Sequence, residues 1–279
     1  MTLLTSIMVA EAAPPSPSTD RDTVVLLHGL GRTPRSMQGM ARRLEREGYR
    51  TVNMGYPSRE KPFEELLEIV HPRVMRVMDE EAGGTVHFVT HSLGGILVRA
   101  CLQDRESDAL GRVVMLSPPN QGSEVVDYYR KNLLFRGAMG PAFLQLGTEP
   151  ESVPNRLGSV DYDVGVITGS RTVNPILSRA IPGEDDGKVS VARAGVEGMR
   201  DFLVMPHSHT FIMTRRGVQD QVVHYLQNGR FDREEPLTSR PLPEERTPAF
   251  PANGHGASKS PLPLGEGKGE GQRNAEMTL

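Results

Sequence analysis

Thr85-Val86-His87-Phe88-Val89-Thr90-His91-Ser92-Leu93-Gly94-Gly95-Ile96-Leu97 changes its period in the middle. Up to Thr90 it is a short run rich in β-branched and apolar residues, which suits a buried strand. From Ile96 the apolar positions Ile96, Leu97, Ala100 and Cys101 recur as on one face of a helix. Ser92 falls where the chain must turn from strand to helix. The glycines behind it let the two backbones approach closely.

The same alternation extends in both directions. Val24 to His28 forms a strand that stops at Gly29, and Pro34 opens a helix with Met37, Met40, Ala41 and Leu44 on its inner face and Gly48 as its stop. Thr51 to Tyr56 reads as a strand, and Phe63, Leu66, Leu67, Val70, Val74 and Val77 mark a second amphipathic helix. Downstream, strands are expected at Arg112 to Leu116, Tyr162 to Thr168 and Asp201 to Met205. A last helix from Thr210 to Gln227 turns Val218, Val222, Tyr225 and Leu226 inward. The pattern predicts an α/β fold with a mostly parallel sheet of about six strands, helices covering both faces. Sites in such sheets lie beyond the carboxyl ends of the strands.

Composition bounds the rest. The chain has 279 residues, 37% of them hydrophobic and 24% charged, with 22 prolines and 29 glycines. That fits one domain with non-globular ends. Residues 1–20 and 232–279 are rich in proline, glycine and small or charged residues and are expected to be a disordered leader and tail around a 21–231 domain. Lys and Arg total 32 against 35 acidic residues, a net charge of −3 that lacks the basic footprint of a nucleic-acid binder. One cysteine, Cys101, excludes an intrachain disulfide or a cysteine-based zinc cluster, and it reads as a small core residue. No run of about 18 apolar residues is present to span a bilayer, so no integral membrane association is expected. The cytoplasm is the expected location. Secretion is the alternative if residues 1–12, which end in Ala10-Glu11-Ala12 but lack basic residues, act as a signal peptide.

The strand ends carry the chemistry. Ser92 reads either as an exposed nucleophile above a helix N-terminus or as an ordinary cap. His28-Gly29-Leu30-Gly31 ends the first strand, where the N–H of Leu30, together with that of Leu93, could bind an oxyanion. Asp185-Asp186-Gly187 and His207-Ser208-His209 follow later strands, giving the order Ser, Asp, His. His-x-His could also hold a metal, but no third ligand accompanies it, so none is expected.

With HGLG at 28–31, THSLGG at 90–95, LSPPNQGS at 116–123, DDGKVSV at 185–191 and PHSHTFIM at 206–213, the chain resembles the α/β-hydrolases. Within them it resembles the compact lipases and esterases with a small cap. The resemblance spans about residues 22–228. It implies a minimal α/β-hydrolase and a serine esterase without cofactor. Ser92 would be nucleophile, His209 general base and acid, and Asp186 the residue that orients the histidine. Asp186 is preferred to Asp185 because it precedes Gly187-Lys188-Val189. His209 is preferred to His207 because it directly precedes Thr210-Phe211-Ile212-Met213. Thr90 departs from the pattern, standing where a small residue is usual, and needs a small neighbour to accept its methyl. His91 is expected to point away from the serine, and His28 to support the oxyanion loop.

Between LSPPNQGS and the next strand, an apolar stretch that includes Val125, Val126, Leu133, Met139, Phe143, Leu144 and Leu146 is expected to form a helical cap over about 123–160. Leu133 and Leu144 are its expected acyl-chain contacts. The substrate would be a small-molecule or lipid ester. An acyltransferase or thioesterase on the same residues, or an inactive hydrolase fold that only binds, are the alternatives. Nothing in the sequence sets an oligomeric state.

Overall fold

The computed structural model describes residues 21–233 except 82–83, 104–106, 133, 135–136, 138, 174–177 and 180. The expected leader, the expected tail beyond Arg233 and Leu133 lie outside the described residues. Six strands, β1 (Thr23–Leu27), β2 (Arg50–Met54), β3 (Val86–His91), β4 (Leu110–Leu116), β5 (Val164–Gly169) and β6 (Asp201–Met205), form one sheet in the order β2-β1-β3-β4-β5-β6. Every neighbouring pair is parallel, with Val25 opposite Val52 on one side and Phe88 on the other.

The inner strands β1, β3 and β5 and the second half of β4 are buried on both sides because both sides are covered, whereas the edge strands β2 and β6 are only partly buried, and alternate residues serve opposite faces. Val25 and Leu27 of β1, Phe88 of β3 and Met115 of β4 pack with α2 (Phe63–Glu80) and α3 (Leu93–Leu102). Their neighbours Val24, Leu26, Val89 and Val114 pack with α1 (Gln38–Arg46) and with a C-terminal helix, Arg216–Asn228. A fully buried side chain of this size contributes about 1.5–3 kcal/mol.

Among the described residues, the short helices α4 (Glu124–Tyr129), α5 (Pro141–Leu144) and α6 (Val153–Arg156) lie between β4 and β5. They are followed by α7 (Val191–Ala194) and α8 (Arg216–Asn228). The chain runs from β1 to β2 on one side, then returns to β3 on the other. The strand order thus reverses at β1, and the crevice beyond β1 and β3 is where a parallel sheet offers a site.

Strand ends shift by one or two residues from the sequence reading, and two differences bear on the site. The second strand ends at Met54, and Tyr56 leaves it to stack on His28 with ring centroids 4.2 Å apart. The last helix starts at Arg216 rather than Thr210. Residues Ile212–Thr214 form a tight 3-10 turn instead, in which the Thr214 hydroxyl donates to the Phe211 carbonyl at 2.7 Å. That turn buries Ile212 and Met213 without helical periodicity. α3 also holds Arg99 in a buried position, donating to the carbonyls of Asn120 and Gly158 and so tying the helix to the loops over it.

Candidate active site

Ser92 joins β3 directly to α3 with φ 53° and ψ −122°, a left-handed conformation that a non-glycine residue rarely adopts. Such a residue costs on the order of 1–3 kcal/mol and persists only where its surroundings over-determine it. Here its N–H donates to the Leu116 carbonyl at 2.9 Å, and its carbonyl accepts from Gly95 N at 2.9 Å. A Cβ on Gly94 would stand 2.6 Å from the Leu27 carbonyl oxygen, so only glycine lets α3 start this close to β1. A Cβ on Gly95 would stand 3.3 Å from Thr90 Oγ1. Gly95 is thus the small neighbour beside β-branched Thr90.

The turn aims Ser92 Oγ at the loop after β6, where His209 Nε2 lies 3.0 Å away. On the other side of that ring, Nδ1 donates to Asp186 Oδ2 at 2.9 Å. The second oxygen of Asp186 accepts from the N–H groups of Lys188 and Val189 at 3.0 and 2.9 Å. Burial alone would raise the Asp186 pKa. The charge and hydrogen bond of His209, with the backbone bonds, outweigh it and hold the carboxyl below its ordinary value. Asp186 therefore stays ionised through the neutral range. Asp185 faces elsewhere, accepting from Ser178 Oγ at 2.5 Å and from Gly187 N at 2.7 Å, so it organises the turn and does not reach the histidine. His207 is a partly exposed neighbour that bonds neither Ser92 nor Asp186 among the described residues.

Leu93 is the first residue of α3, so its N–H has no partner within the helix. Leu30 lines a cavity shared with Ser92 and His209, on a loop held by Gly31 N donating to Ser58 Oγ at 3.0 Å. Buried His28 supports that loop: Nδ1 donates to the Gly29 carbonyl at 2.9 Å, and the Tyr56 hydroxyl donates to the carbonyl of His28.

His91 corrects the sequence reading. It points toward the site, with Nε2 donating to the His209 carbonyl at 3.0 Å and its ring 4.9 Å from that of His209. It is a positioning residue for the histidine loop, made visible only when that loop folds over the end of β3. Burial, reinforced by the charge of His209, keeps its pKa well below 6.5. Burial likewise lowers His28 and His87. In all three the fold favours the neutral form over the charged one. As pH falls below about 6.5 the unfolded chain takes up protons that the folded chain refuses, and stability declines. The Tm is expected to drop measurably between pH 7 and pH 5, with His91→Asn reducing the slope. A flat Tm over that interval would contradict these buried neutral states. Asp186, held low, contributes stability that is lost only at more acid pH, below the ordinary carboxylate range.

The cavity above Ser92 and His209 is walled by Val125, Val126, Met139, Phe143 and Leu146. Leu144 does not line it. In α5 a one-residue step turns the side chain by about 100°, so buried Phe143 faces the cavity while Leu144, partly buried, packs against the core away from it. Tyr128 and Leu134 of the same stretch are exposed, Leu134 to 87%. Ser123 fastens the root of the cap to the acid loop, donating to the Lys188 carbonyl at 2.6 Å. Two residues without a sequence signal, Arg32 and Lys188, also line the cavity.

The sequence profile of the alpha/beta hydrolase family matches residues 24–261. No curated protein matches the chain. Among solved structures, a lipase from Bacillus licheniformis in its mature form is similar with a TM-score of 0.55 and 18% identity, over 73% of this chain and 90% of that one. Phospholipase PlaB from Legionella pneumophila is similar with a TM-score of 0.58 and 18% identity, over 73% of this chain and 57% of that one. A metagenomic carboxyl esterase follows with a TM-score of 0.51 and 18% identity, over 72% and 68%. At this identity the structural likeness shows a common fold.

Proposed function

Since the chain belongs to the alpha/beta hydrolase family, we propose that it hydrolyses carboxylic esters through an acyl-enzyme on Ser92. The observation that carries this reading is the continuous relay from Ser92 Oγ through His209 to Asp186, at 3.0 and 2.9 Å, with the serine in a strained turn beside an open cavity. His209 accepts the serine proton as Oγ bonds to the ester carbonyl carbon. The N–H groups of Leu30 and Leu93 hold the oxyanion. The histidine returns the proton to the departing alcohol, and water repeats the sequence to free the acid. No step calls for a cofactor.

The apolar wall favours a medium-length acyl chain over acetate. A series of p-nitrophenyl esters from acetate to palmitate tests both statements. Turnover is expected with an optimum above acetate, and Leu146→Trp is expected to move that optimum to shorter chains by filling the wall. Absence of turnover across the series would overturn ester hydrolysis. An unmoved optimum in the folded variant would place the acyl chain elsewhere.

A further inference from the structure

The cavity around Ser92 is apolar on its cap side and cationic on its histidine side. Arg32 follows the oxyanion loop and donates through Nη2 to the carbonyl of Thr210, next to His209, at 3.0 Å. Lys188 follows Asp186 by two residues and lines the same cavity. Neither forms an ion pair among the described residues. The carboxylate that acts on Lys188 is Asp186, whose oxygens are already taken by His209 Nδ1 and by two backbone N–H groups. Burial, and then repulsion from Arg32, lower the Lys188 pKa against the pull of Asp186. Two partly buried cations thus line one cavity beside a reactive serine, an arrangement that a bound anion would complement.

Which half of the substrate carries that anion follows from the relay. His209 protonates the departing alcohol, so the alcohol lies on the histidine side, and the acyl chain lies against Val125, Val126, Phe143 and Leu146. We propose that Arg32 and Lys188 hold a phosphate or carboxylate on the alcohol half of the ester, making acyl esters of negatively charged alcohols the preferred substrates. This rests on the ester-hydrolase reading. In the reaction Ser92 Oγ bonds to the acyl carbon, the ester C–O bond breaks, and the anionic alcohol leaves with the proton from His209. Water then releases the fatty acid, so one ester and one water give one acid and one alcohol.

The test compares 1-octanoylglycerol 3-phosphate and O-octanoylglycolate with the neutral esters 1-octanoylglycerol and ethyl octanoate at low salt. The readout is octanoate release by the full chain. At least one anionic ester is expected to exceed its neutral partner about tenfold in kcat/KM, chiefly through KM, and the favoured one names the anion. The double variant Arg32→Gln, Lys188→Gln is expected to bring that ratio near one. A ratio that survives the double substitution, or a preference for the neutral esters, would overturn the proposal. Calorimetry of 1-octanoylglycerol 3-phosphate on Ser92→Ala separates the two readings. Binding that the double substitution abolishes, with no ester cleaved by the native protein, would overturn ester hydrolysis and leave the anion site standing. Cleavage of all four esters at equal efficiency would overturn the anion site and leave hydrolysis.

Discussion

Ser92→Ala is expected to lower ester turnover by a factor on the order of 10⁶, the size of loss found when the nucleophile of a serine protease relay is removed. The fold should survive. Alanine keeps the Cβ and therefore the same backbone strain, and the hydroxyl lost is the one that bonds His209 Nε2. A single hydrogen bond of this kind is worth about 0.5–1.5 kcal/mol net. The variant should thus melt within a few degrees of the native protein while losing nearly all activity. Turnover retained within about tenfold in a folded Ser92→Ala chain would mean that the reaction does not pass through this oxygen.

Asp186→Asn is the second large effect, and its cause is the tautomer of His209. The carboxylate faces two backbone N–H groups with Oδ1 and the imidazole N–H with Oδ2. An asparagine keeps its carbonyl on the two backbone donors and so turns its amide N–H₂ toward His209. Two donors cannot share that contact. The ring must place its proton on Nε2, where it no longer accepts from Ser92. The expected cost is about 10²–10⁴ in kcat, with the fold intact, the upper figure matching a wrongly fixed tautomer in a serine protease. Asp185→Asn provides the contrast. Its carboxylate is buried, not solvated, and it serves Ser178 and Gly187. The loss there should fall on stability, about 1 kcal/mol, with less than about tenfold on kcat. The reverse ranking would assign the orienting role to Asp185.

What could be read from the sequence was whatever depends on local period. The six strands and the turn at Ser92 follow from apolar runs that change to helical spacing. The inner ones are the most legible because a strand buried on both faces leaves little choice of residue. The pairing of Ser92 with His209, 117 positions away, is not in the period; it came from the order of motifs resembling a family. Side-chain direction in irregular segments was the part that could not be read. Leu144 and Phe143 are one residue apart in a four-residue helix whose orientation is set by what lies beneath it. His91 turns toward the site because the loop 206–211 folds over the end of its strand. Arg32 and Lys188 lie on loops without periodicity, where a charge next to a glycine or an aspartate looks like any solvated surface residue until the loop closes over the cavity.

The start of the last helix shows the same limit. Thr210 to Met213 is apolar enough to look helical. Yet Arg32 captures the Thr210 carbonyl and Thr214 bonds back to Phe211. Those contacts favour a tight turn that keeps His209 at the end of the sheet rather than inside a helix.

The most direct test of the central claim is to label the native protein with a fluorophosphonate, digest it and map the adduct by mass spectrometry. One adduct per chain on Ser92 is the predicted result, with labelling suppressed in Ser92→Ala and slowed in Asp186→Asn. An adduct on another residue, or no adduct in a protein that cleaves esters, would contradict it.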